Sequence, residues 1–112
     1  MDVHGLDRAF TALADPGRRA MVERLSRGPA SATHLAASGG MALPSALKHL
    51  RVLEDGGLVV SQKAGRTRTY RMAPRAFDAI RAWVGLREAA MNAAFDRLEE
   101  LIEADESGDG RP

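Results

Sequence analysis

A short amphipathic segment, residues 43–55, constrains the fold of this chain more than any other feature. It lies between two glycine pairs, Gly39-Gly40 and Gly56-Gly57, and glycine tolerates the backbone conformations that end helices and open turns. Apolar residues recur within the segment at helical spacing, which predicts an amphipathic helix. We expect its inner side to hold Leu43, Ala46, Leu47, Leu50 and Leu53, and its outer side Pro44, Ser45, Lys48, Arg51 and Val52.

Two strand-like runs follow this segment. Residues 58–63 and 67–72 are rich in valine, threonine and other residues that favour strands, and they enclose the short turn Ala64-Gly65-Arg66. The pattern predicts a β-hairpin. Because lysine and arginine recur along it, the hairpin is expected to be basic.

Three short helices are predicted before the amphipathic segment. An apolar stripe over residues 6–13 indicates the first. Asp15 is a suitable cap and Pro16 a suitable first residue for the second helix, which Gly28-Pro29 ends. Ser31 is a good cap for the third, very short helix.

The longest helix is predicted at the end of the chain, from Pro74 to about Ala104. The element order is then α-α-α-α-β-β-α, which is mainly α-helical with one small hairpin. We expect a single domain over residues 1–104, followed by a disordered acidic tail over residues 105–112.

This order of elements is typical of one class of nucleic-acid-binding fold. Two short helices joined by a glycine-containing turn form a helix-turn-helix, and a following β-hairpin makes the winged version. The charge agrees, since residues 43–75 hold seven basic and two acidic side chains, whereas residues 76–112 hold four basic and nine acidic ones. A basic middle part predicts a surface for double-stranded DNA, the alternative being an ordinary solvated surface.

The amphipathic helix and the hairpin supply most of the expected DNA contacts. The start of a recognition helix lies near base edges in the major groove, and a tip with Gly65 and Arg66 suits the minor groove. For each arginine, an intrachain ion pair or a solvated position is the alternative. His49 is expected to pack or to contact a phosphate. The expected base-edge contacts are Pro44, Ser45 and Lys48, and the expected phosphate or minor-groove contacts are Arg18, Arg51, Lys63, Arg66 and Arg68.

The last helix carries an apolar stripe that a small monomer cannot cover. Apolar residues recur every seven positions through Phe77, Val84, Met91 and Leu98, which is the spacing of helices that pair with one another. We expect a twofold homodimer formed by the first and last helices, with an intramolecular core helix as the alternative. The expected interface residues are Leu6, Phe10, Val84, Met91, Phe95, Leu98, Leu101 and Ile102.

The sequence resembles the ArsR/SmtB-type winged-helix repressors of bacteria from about Leu6 to Leu101. The resemblance is strongest over residues 12–19 (ALADPGRR), 43–59 (LPSALKHLRVLEDGGLV) and 65–72 (GRTRTYRM). It implies a homodimer that binds a near-palindromic operator and represses transcription until an effector or a competing event releases it. The sequence does not identify a small-molecule effector.

Several positions depart from the family pattern. The chain has no cysteine and no histidine after His49, so neither of the family's usual metal sites is expected, and we expect no cofactor. His4 with Asp2 is the one ligand pair left open. Where relatives place hydroxyl residues, this chain has Ala42 before the recognition helix, which loses a cap worth about 1 kcal/mol, and Leu47 within it.

No feature of the sequence favours an enzyme. The chain lacks a glycine-rich phosphate loop, a thiol, and a histidine in a plausible relay with serine and carboxylate. Neither a signal peptide nor a membrane span is indicated, so we expect a cytoplasmic protein. The expected function is a dimeric, sequence-specific DNA-binding transcriptional regulator that acts as a repressor. The alternative is a winged-helix module that binds another protein.

Overall fold

The computed structural model describes the backbone of residues 3–109 and the side chains of residues 5–106. Within these limits it contains helices and one antiparallel three-stranded sheet in the order β1-β3-β2. The mainly α-helical, winged helix-turn-helix fold predicted from the sequence is confirmed. The elements are α1 (Val3–Leu13), α2 (Pro16–Leu25), β1 (Ala30–Ser31), α3 (Ala32–Ser38), α4 (Leu43–Asp55), β2 (Val59–Ala64), β3 (Thr67–Met72) and α5 (Asp78–Asp109).

The strand β1 is an addition that the sequence does not predict. Ala30 pairs with Tyr70 and Ser31 with Thr69 in antiparallel register. Two residues are too few for an alternating pattern to be recognised. Because β1 immediately precedes α3, it ties the start of the helix-turn-helix to the hairpin.

The predicted starts of α2, α3 and α4 are confirmed. The Asp15 carboxylate accepts a hydrogen bond from the Arg18 backbone N–H at 3.0 Å, and Ser31 Oγ accepts one from the His34 N–H at 3.1 Å. Helix α4 follows Ala42 and has no side-chain cap. Its first turn instead contains Pro44, whose fixed φ suits that position.

The core of residues 3–80 is built around α4. A β-carbon on Gly56 would lie 3.0 Å from the Arg8 carbonyl oxygen, so a side chain there would be crowded where α1 passes the end of α4. The Arg8 Nε also donates to the Asp55 carbonyl at 3.2 Å. The largest fully buried side chains are Leu35, Leu50, Leu53, Leu58 and Val59.

The expected sidedness of α4 is wrong at three positions. Leu43 and Leu47, expected to face inward, are 42% and 45% exposed, and Val52, expected to face outward, is half-buried against the core. The buried side of α4 is centred on Ala46, Leu50 and Leu53. Leu43 and Leu47 lie on a flank that faces an open groove beside the hairpin, so helical spacing alone overstates their burial.

Both predicted ends of the last helix are also corrected. Helix α5 begins at Asp78, four residues after Pro74, because Arg75 adopts a left-handed backbone with φ of 60° that no α-helix continues through. The helix extends past Ala104 to Asp109, because residues 105–107 contain no glycine or proline to stop it, and it also continues through Gly108. Residues 110–112 of the expected acidic tail lie outside the described residues.

The chain divides into two units, residues 1–80 and 81–112. The first contains α1 to α4 and the sheet. The second, as far as it is described, is the continuation of α5, in which the Arg87 guanidinium lies 5.3 Å from the centroid of the Trp83 ring. Each helix within residues 3–109 is too short or too polar to span a bilayer.

Candidate nucleic-acid interface

The outer face of α4 presents four of the expected DNA contacts. Pro44, Ser45, Lys48 and Arg51 are all exposed. Among the described residues, none forms a hydrogen bond or an ion pair with the side chain of Lys48 or Arg51. These two cations are therefore available to an external acceptor.

The hairpin presents a second group of cations. Its turn requires Gly65, which has a left-handed φ of 63°, and places Arg66 at the exposed tip. Lys63 of β2 stands directly opposite Arg68 of β3. Like charges in directly opposed positions destabilise a strand pair, so the hairpin maintains a positive surface at some cost to its own stability.

Arg68 differs from its neighbours because it has an intrachain partner. Its Nη1 donates to Ser61 Oγ at 2.8 Å, and that oxygen lies 3.5 Å from Glu54 Oε2 in the last turn of α4. These side chains link the hairpin to the recognition helix. By contrast, no partner for the Lys63 or Arg66 side chain occurs among the residues described.

Arg18 does not lie with the other expected contacts. Its guanidinium donates to the Ala12 carbonyl at 2.7 Å and to the Thr11 carbonyl at 3.0 Å, at the end of α1. Its Nη1 lies 3.4 Å from His49 Nδ1, and His49 Nε2 lies 3.9 Å from Asp15 Oδ2. The structure thus places Arg18 and His49 in a polar contact that joins α1, α2 and α4.

The carboxyl of Asp15, beside His49 and Arg18, has a lowered pKa. The hydrogen bond from the Arg18 backbone N–H lowers the pKa of Asp15 below its ordinary value of 3.8, against a smaller opposing effect of burial. His49 and the Arg18 guanidinium lower it further. Because the folded protein keeps this carboxylate ionised at lower pH than the unfolded chain does, its stabilising contribution is complete above pH 3.8 and is lost as pH falls through the lowered pKa.

We expect the Asp15→Asn variant to lack this pH dependence. Asparagine can still cap α2 but cannot ionise. The difference in unfolding free energy between wild type and variant should therefore shrink as pH falls from about 5 to about 2. Urea unfolding at each pH measures it, and a difference that stays constant over this range would contradict the assignment.

A groove between α4 and the hairpin contains residues that the sequence did not indicate. It encloses about 390 Å³ and includes Thr33 of α3. Ser31 and the buried Tyr70, whose pKa is raised by burial, also line it. The sequence pointed to this groove only through the expected DNA contacts Arg66 and Arg68 and through Leu47, which stands where relatives carry a hydroxyl. The other lining residues are Ala32, Leu43, Leu47, Arg66, Thr67 and Arg68.

The expected dimer residues fall into two groups. In the first unit Leu6 is already buried, at 6% exposure, and offers a partner little surface, whereas Phe10 is 40% exposed. In the second unit all six expected residues are exposed, from 38% to 68%. They are Val84, Met91, Phe95, Leu98, Leu101 and Ile102.

Metal ligands do not cluster in the described part of the chain. No group of three histidine, aspartate or glutamate side chains comes together there as a metal ion would require. Asp2 and the side chain of His4 lie outside the described residues.

Known proteins are similar to this chain in sequence and in fold. Residues 13–62 match a family model described as a helix-turn-helix domain. The HTH-type transcriptional regulator Rv2034 of Mycobacterium tuberculosis is 43% identical over 75 residues, which are 67% of this chain and 70% of that protein. A crystal structure of the ArsR family transcriptional regulator RHA00566 is 44% identical with a TM-score of 0.74, covering 79% of this chain and 97% of that one. The chain belongs to the ArsR family of transcriptional regulators.

A third relative adds an assembled example of the ArsR fold. The solution structure of Mb0332 from Mycobacterium bovis is described as a homodimeric winged helix-turn-helix DNA-binding domain of a possible ArsR-family regulator. It is 27% identical, has a TM-score of 0.64, and covers 82% of this chain and 83% of that one. The ArsR family resemblance drawn from the sequence is thus confirmed.

Proposed function

We propose that this protein is a homodimeric repressor that binds a near-palindromic DNA operator in the cytoplasm, without catalysis. Helix α4 lies in the major groove and the tip of the hairpin in the minor groove. Four exposed cations without partners among the described residues carry this proposal: Lys48, Arg51, Lys63 and Arg66. A bound polyanion would also reduce the electrostatic repulsion between Lys63 and Arg68, which face each other across the hairpin.

The roles of these residues follow from their positions. Lys48, with Pro44 and Ser45, lies in the first half of α4, the part that reaches base edges in helix-turn-helix proteins. Arg51, one turn later, and Lys63 on the hairpin suit phosphates. Arg66 at the tip suits the narrow minor groove. We assign Arg18 and His49 to positioning α4, and Arg68 to fixing the hairpin.

A second copy of the chain would supply the second half of the DNA-binding surface. The exposed apolar stripe of α5 would pair with the same stripe of a second copy, as the homodimeric M. bovis relative suggests by analogy. Two copies would then present two recognition helices to a twofold site. A dimer covering a promoter would block transcription, which is the basis for proposing a repressor.

The salt dependence of duplex DNA binding tests this proposal. Each phosphate contact releases counterions, so the affinity should fall steeply with salt concentration. Because a bound dimer places two copies of each side chain on the duplex, Lys63→Ala and Arg66→Ala should each lower the slope of log affinity against log salt by about one unit per copy, or about two units per dimer. Arg27→Ala removes an exposed cation outside the recognition helix and hairpin, and should leave the slope unchanged. Absence of duplex binding at low salt would favour the protein-binding module instead.

A further inference from the structure

Two leucines of the recognition helix are not covered by the described part of the chain. Leu43 and Leu47 are 42% and 45% exposed, whereas Leu50 and Leu53 are fully buried. Four residues apart, Leu43 and Leu47 are neighbours on one flank of α4. This flank forms one wall of the groove beside the hairpin.

The same groove contains cations and a hydroxyl group. Arg66 and Arg68 line it from the hairpin and Thr33 from α3. Lys48 directly follows Leu47 on α4. An occupant that complements all of these must be negatively charged and must also present small apolar groups. Duplex DNA does both, because the C5-methyl group of thymine projects into the major groove between the phosphate backbones.

We propose that Leu47, supported by Leu43, contacts thymine methyl groups of the operator and helps to select its sequence. This inference rests on the proposed DNA-binding function. Lysine commonly reads guanine through O6 and N7, and Lys48 is adjacent to Leu47. The half-site should therefore place a thymine within a base step or two of a guanine.

Replacing thymine with uracil tests the contact, because uracil lacks only the methyl group. The duplex is one that the purified protein selects from random sequence, with each thymine replaced in turn. At one or two positions per half-site the substitution should weaken wild-type binding by about fourfold, the effect of one buried methyl group. In Leu47→Ala the same substitutions should have no effect.

Ser45→Ala provides the matched control on the opposite flank of α4. The Ser45→Ala variant should lose about the same fourfold in affinity as wild type when thymine is replaced with uracil, even if its affinity for the unmodified operator differs. Leu47 is exposed, so its alanine variant should fold, which thermal unfolding verifies. The inference is overturned if no thymine is sensitive, or if the penalty persists in Leu47→Ala, while the operator is still bound. A protein that selects no DNA overturns the proposed function as well, and would leave the leucines as a contact for another protein.

Discussion

Leu98→Asp should convert the protein to a monomer and weaken operator binding by about 100-fold or more. Leu98 is 52% exposed in the single chain and lies on the apolar stripe of α5. An aspartate there would bury an unpaired carboxylate in the apolar interface between two copies, and burial of an unpaired charge is strongly unfavourable. A monomer also loses the gain that two linked recognition helices provide, which typically reaches 100-fold to 10,000-fold.

Sedimentation analysis and operator titration measure the two effects of this change together. Ala93→Asp introduces the same charge on the opposite side of α5 and should remain dimeric and active. A Leu98→Asp protein that is dimeric and binds the operator with full affinity would rule out the proposed interface.

Lys48→Ala should weaken binding to the operator by about 1 to 3 kcal/mol and reduce the preference for the operator over random DNA. Lys48 is exposed and has no partner among the described residues, so its removal leaves the fold intact. Arg66→Ala should weaken binding to the operator and to random DNA to a similar extent, because a guanidinium at the hairpin tip responds to the negative charge of the phosphate backbones, which every duplex carries, rather than to individual bases. Titrations of both variants on both duplexes measure this. If Lys48→Ala lowers the affinity for the operator and the affinity for random DNA equally, the assignment of Lys48 to base edges is contradicted.

Local signals were sufficient to predict most of the fold. The caps at Asp15 and Ser31 and the glycine pairs around residues 43–55 each act over a few residues, so the sequence reveals them directly. The alternation and turn of the hairpin are equally local. The element order could therefore be predicted without knowledge of the packing.

The errors arise where a distant part of the chain decides the outcome. Strand β1 exists only because β3 pairs with it, and two residues carry no pattern of their own. Leu43 and Leu47 have the spacing of core residues, but the groove beside the hairpin leaves them exposed. Arg75 delays α5 through a left-handed conformation that its residue type does not suggest.

The sequence predicted which cations are exposed at the candidate site better than it predicted what each residue does there. The exposed cations Lys48, Lys63 and Arg66 were expected from the charge of residues 43–75. A count of charges cannot reveal that the Arg18 guanidinium is bonded to the Thr11 and Ala12 carbonyls, because that depends on how α1 meets α2. The assignment of individual residues to DNA and to the dimer interface stays a prediction.

Selection of random duplex DNA by the purified protein tests the proposed function most directly. The selected sequences should share a twofold-symmetric site whose half-sites are centred about one helical turn, roughly 10 base pairs, apart. This spacing is expected because a twofold dimer presents two recognition helices about one turn of DNA apart. Enrichment of no sequence, or of a single asymmetric half-site, would contradict a dimeric sequence-specific regulator.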